Sequence, residues 1–72
     1  MSTKVEMQIV VNGEPRMARQ GQTILELLRE LGLEPARVAV EFDRNIVKQV
    51  LWQETVLRPG SQLEIVQFVG GG

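Results

Sequence analysis

The residues with the clearest chemical potential are the last three, Gly70-Gly71-Gly72, in a 72-residue chain with neither cysteine nor histidine. That double absence removes thiolate nucleophiles, imidazole bases, disulfides and soft-metal sites together. Ser61 and Thr55 have no evident general base in the sequence, and Glu26, Glu30 and Glu34 read as one solvated helix face. Gly13, Gly21, Gly32 and Gly60 suit turns and caps, and their spacing does not make the G-x-G-x-x-G that cradles a phosphate. What remains is the main-chain carboxylate of Gly72. Glycine has no Cβ to obstruct close backbone approach, so an extended glycine segment can enter a narrow channel. The expectation is that Gly70 and Gly71 thread into another protein's active site and present the Gly72 carboxylate there. A frayed, inert end is the competing reading.

Such a tail needs a body to carry it. Seventy-two residues allow one domain spanning the chain, with residues 1–5 as a polar leader and 70–72 as the tail. A domain of this size buries roughly 60% of the surface its unfolded chain exposes. The 43% apolar content must therefore concentrate in one core, leaving no room for a deep substrate cavity. Net charge is −1, with eight basic and nine acidic side chains spread along the chain. With no basic cluster, one Trp and two Phe, nucleic-acid binding is not expected. The apolar runs are too short for a membrane span or a signal-peptide core. A cytoplasmic protein that is not itself an enzyme, with no bound metal or cofactor, is expected.

The positioning elements follow from pattern. Met7, Ile9 and Val11 alternate with Gln8 and Val10, which predicts a strand over 6–11. Asn12-Gly13 is a two-residue hairpin signal, because both positions tolerate positive φ. The return strand, 14–18, holds Pro15 and belongs at a sheet edge. Thr23 and Glu26 form a capping box ahead of Ile24, Leu27, Leu28 and Leu31, an apolar stripe predicting a helix over 24–31. Gly32 suits a left-handed cap, and Pro35 blocks resumption. A strand over 38–42, a turn over 43–45 and a short strand at 46–47 come next. Residues 48–54 are ambiguous, with a short helical turn placing Trp52 in the core. Arg58-Pro59-Gly60-Ser61 has the Pro and Gly placement of a type II turn. A last strand over 62–69 leads to the tail. One helical stripe and one sheet face cover each other, giving a two-layer α+β fold. With the first and last strands parallel at the centre, this is a β-grasp. If Leu63 and Ile65 face the helix, then Val10, Ala39, Val66 and Phe68 lie on the open sheet face as a docking surface beside the tail.

The chain resembles the sulfur carrier proteins of bacterial thiamin (thiazole) biosynthesis, ubiquitin-like in fold, over nearly its whole length. The resemblance rests on Met-Gln-Ile-Val-Val-Asn-Gly at 7–13, Thr-Ile-Leu-Glu-Leu-Leu at 23–28 and, most specifically, Leu-Glu-Ile-Val-Gln-Phe-Val-Gly-Gly-Gly at 63–72. Val-Lys-Gln-Val-Leu-Trp at 47–52 departs from that family's usual Val-Pro-Arg-x-x-Trp, and Gly60-Ser61 replaces its more frequent Gly-Asp. Neither departure touches the tail. The resemblance implies that an ATP- and magnesium-using activating enzyme adenylates the Gly72 carboxylate. A persulfide protein would then supply sulfur to make a thiocarboxylate, and thiazole synthase would accept it. Two similar roles stay open: the small subunit of molybdopterin synthase, whose tail usually has Pro-Pro before Gly-Gly, and a protein modifier joined to a target lysine.

Overall fold

The computed structural model describes residues 6–68. The expected leader at 1–5, Val69 and the glycine tail at 70–72 lie outside the described residues. Strand β1, Glu6–Val11, turns through Asn12 (φ 52°) and Gly13 (φ 82°) into β2, Glu14–Arg19. Two consecutive positive φ values match the right-handed twist of a hairpin, and Asn and Gly adopt them at low cost. Helix α1, Ile24–Glu30, starts on the expected capping box: the Glu26 N–H donates to Thr23 Oγ1 and the Thr23 N–H donates to Glu26 Oε1. It stops one residue short of the predicted end. Leu31 is the cap, and Gly32 (φ 76°) lets the Gly32 and Leu33 amides donate back to the Arg29 and Leu28 carbonyls.

A 3₁₀ turn, Pro35–Arg37, leads to β3, Val38–Phe42, and a two-residue turn to β4, Asn45–Ile46. The predicted three-residue turn is shorter here, because Asp43 (φ 50°) and Arg44 (φ 74°) both take left-handed conformations, so pairing resumes at Asn45 opposite Phe42. A second 3₁₀ turn, Gln49–Leu51, drops Trp52 into the core, where its indole N–H donates to the Val47 carbonyl at 2.9 Å. The Pro59-Gly60 turn closes with the Ser61 N–H donating to the Arg58 carbonyl. Strand β5, Gln62–Gln67, then runs through the centre of the sheet.

Strand order is β2-β1-β5-β3-β4, with β1 and β5 parallel and the other pairs antiparallel. The Pro15-bearing strand is at an edge, where its missing donor costs no ladder bond. One sheet face packs on α1: Met7, Ile9, Val38, Val40, Leu63 and Ile65 join Ile24, Leu27 and Leu28 in one core, with Trp52 and Leu57 closing it. Among the described residues the opposite sheet face carries no helix, and β5 runs through it to Gln67. Among the described residues no helix is long and apolar enough to cross a membrane.

Candidate functional site

Strand β5 is the last described strand before Gly70-Gly71-Gly72 in the sequence, and its neighbours hold it in place. Pairing with β3 runs from Leu63 opposite Phe42 to Gln67 opposite Val38, and the Phe68 N–H donates to the Arg37 carbonyl at 2.8 Å. Because side chains alternate across a strand, Leu63 and Ile65 are buried under α1 while Glu64, Val66 and Phe68 are exposed.

Val66 lies opposite Ala39, and Phe68 follows two residues on along the same face. Strand β4 adds Ile46, opposite Glu41 and 78% exposed. With Val66 at 58% and Phe68 at 56% exposure, large apolar groups line this face up to the last described residue. A hollow of about 100 Å³ opens among Ala39, Glu41, Ile46, Glu64 and Val66. Burying its apolar rim against a partner would contribute at roughly 25 cal/mol per Å². Glu41 and Glu64 sit directly opposite each other across β3 and β5. Like charges so placed repel, which favours a partner that brings a basic group to this rim.

Of the residues expected to dock a partner, Ala39, Val66 and Phe68 come together. Val10 does not. It shares the open face but pairs with Gln62, at the start of β5, so four residues (about 13 Å at strand spacing) separate its level from Val66. Half-buried between Gln62 and Pro15, it belongs to the other end of the sheet. Ile46 takes its place in the patch. Only the β3–β4 register reveals that, since an isolated Ile after a turn carries no signal of its own.

Polar groups considered for chemistry have structural duties. Ser61 is buried and its Oγ accepts from the Arg58 N–H; the Thr55 hydroxyl donates to the Leu51 carbonyl. Glu26 closes the helix cap, and Glu30 accepts from the Gln22 amide at 2.7 Å. A wider groove of about 320 Å³ lies beside the far half of β5, bounded by Val11, Arg16, Leu31, Leu33, Ile65 and Gln67. No described side chain is arranged as a nucleophile with a base.

Comparison with known proteins agrees with this architecture. The family model of the ThiS family matches residues 9–72. The sulfur carrier protein ThiS of Escherichia coli is 32% identical over 66 residues, covering 92% of this chain and all of that protein. A thiazole synthase of Magnetococcus marinus is 42% identical over 66 residues, and a second from Paramagnetospirillum magneticum 41%. The chain spans only about a fifth of the length of these two thiazole synthases. The crystal structure of the thiamine biosynthesis protein (ThiS) from Geobacter metallireducens superposes with a TM-score of 0.79 at 28% identity, covering 92% of this chain and all of that one. A β-grasp body, an apolar patch along its last strand and a match that runs to the final glycine thus converge, and the chain belongs to the ThiS family.

Proposed function

We propose that this chain is a sulfur carrier, a protein co-substrate with no catalytic groups of its own, that works through the Gly72 carboxylate in cytoplasmic thiamin biosynthesis. The carboxylate oxygen attacks the α-phosphorus of ATP in an activating enzyme, which supplies the magnesium, and pyrophosphate leaves. The terminal sulfur of a persulfide protein then attacks the acyl carbon and displaces AMP. A thiol cleaves the resulting acyl disulfide, releasing the Gly72 thiocarboxylate and a disulfide on the donor side. Thiazole synthase takes the sulfur. The two thiazole synthases that contain a segment similar to this chain support that recipient.

The observation that carries the proposal is the apolar rim that Ala39 of β3 and Ile46 of β4 form with Val66 of β5 and the adjoining Phe68, just ahead of Gly70-Gly71-Gly72 in the sequence. A partner seated on this rim, with a basic group toward Glu41 and Glu64, engages the strand that precedes Gly70-Gly71-Gly72 in the sequence. Removing Gly71 and Gly72 is expected to abolish ATP–pyrophosphate exchange by the activating enzyme while the circular dichroism spectrum and unfolding midpoint stay the same. Persistent exchange would place the reacting group elsewhere.

A further inference from the structure

The parallel ladder between β1 and β5 has only two residue pairs, Val10 with Gln62 and Val11 with Leu63. At Asn12 the chain turns away, and the far half of β5 loses its backbone neighbour on that side. The Asn12 side chain extends the ladder past this point. Its backbone N–H donates to the Leu63 carbonyl at 2.8 Å, its Oδ1 accepts from the Ile65 N–H at 2.7 Å, and its Nδ2 donates to the Ile65 carbonyl at 3.2 Å. The side-chain amide thus does for Ile65 what a neighbouring strand's peptide group would do. Across the sheet, Asp43 holds the start of β5: its N–H donates to the Gln62 carbonyl at 2.7 Å and its Oδ1 accepts from the Gln62 N–H at 2.9 Å. Both residues sit at the first left-handed position of a two-residue turn. Two hairpin turns therefore grip the strand that launches the tail, and Asn12 holds the half nearer to it.

We propose that Asn12 is a positioning residue: it fixes the bearing of β5 beyond Leu63, and with it Val66 and Phe68, so that the activating enzyme meets a docking strand already in place. This rests on the carrier reading above. Holding a segment in its bound direction before association reduces the ordering cost of binding, so the effect of losing the clamp falls on KM and leaves kcat in place.

Asn12→Gly separates the clamp from the turn, since glycine keeps the positive φ and the backbone bond to Leu63 while losing both side-chain bonds. Asn12→Asp keeps the acceptor for the Ile65 N–H but sets a carboxylate oxygen against the Ile65 carbonyl. In Asn12→Gly, hydrogen exchange at the Ile65 amide is expected to accelerate about tenfold or more, as for local opening. The Val10 amide, which donates to the Ser61 carbonyl at 2.9 Å, stays protected. The activating enzyme's KM for the carrier rises about tenfold, the equivalent of about 1.4 kcal/mol, with kcat changed less than about twofold. Asn12→Asp gives a smaller shift of the same kind. Equal acceleration at Val10 and Ile65, or an unchanged KM with Ile65 freely exchanging, would overturn the proposal. A wild-type chain that shows a protected Ile65 but supports no ATP–pyrophosphate exchange would overturn the carrier reading and, with it, the role given to Asn12.

Discussion

Phe68 and Ile46 test the docking surface with little risk to the fold, because both are more than half exposed. Phe68→Asp or Ile46→Asp is expected to weaken association with the activating enzyme by about 1–2 kcal/mol, the range of an interface anchor. Isothermal titration of each variant measures it, and an unchanged affinity for both would remove the patch from the account. Gly60 tests the backbone alone. Its φ is 80° and nothing stands within 4 Å of where a Cβ would be, so Gly60→Ala brings conformational strain without a clash. A loss of about 1–2 kcal/mol in urea unfolding is expected. At this scale the sequence was eloquent about glycine and about the Asn12 turn, and silent about the Asn12 side chain's bonds to Ile65 and about Ile46. A positive φ has a preferred residue type, whereas the reach of an amide to a strand 53 positions away has none.

Elements were legible where the signal is local. The Asn12-Gly13 hairpin, the Thr23–Glu26 capping box and the Leu27-Leu28 stripe each depend on residues within one turn of one another, and each stands where expected. The turn at Asp43-Arg44 was less legible, since neither residue announces positive φ as glycine does. Asp43 is held there by its two bonds to Gln62, a tertiary reward invisible to local pattern. The helix is the element on which the sheet's inner face depends. Leu28 is fully buried in the shared core, and Leu28→Ala is expected to cost about 2–5 kcal/mol. A domain this small sits near the low end of the roughly 5–15 kcal/mol typical of folded proteins. Thermal unfolding of the variant should therefore start near ambient temperature; a midpoint within a few degrees of wild type would contradict the packing described.

For the whole molecule, the decisive fact is the register of β5 between two partners that run in opposite directions. Antiparallel pairing with β3 sets Val66 against Ala39, while parallel pairing with β1 begins and ends at Gln62 and Leu63. That register brings Ala39, Val66 and Phe68 to the Gln67 end of β5, sets Ile46 level with Glu64 beside them, and leaves Val10 at the start of β5. Alternation along the chain reports the face of Val10, Ala39, Val66 and Phe68 correctly but not their position along it, because position depends on pairings between segments far apart in the chain. The resulting division of labour has α1 and the inner sheet face stabilising the body, and leaves the outer face of β3, β4 and β5 exposed for the proposed docking. The most direct test is the intact mass of the chain after incubation with an activating enzyme, ATP and a persulfide donor. A mass gain matching exchange of one oxygen for sulfur, localised by fragmentation to Gly72, is the predicted result. An unchanged mass, or an adduct of a whole target protein through an amide, would contradict the account.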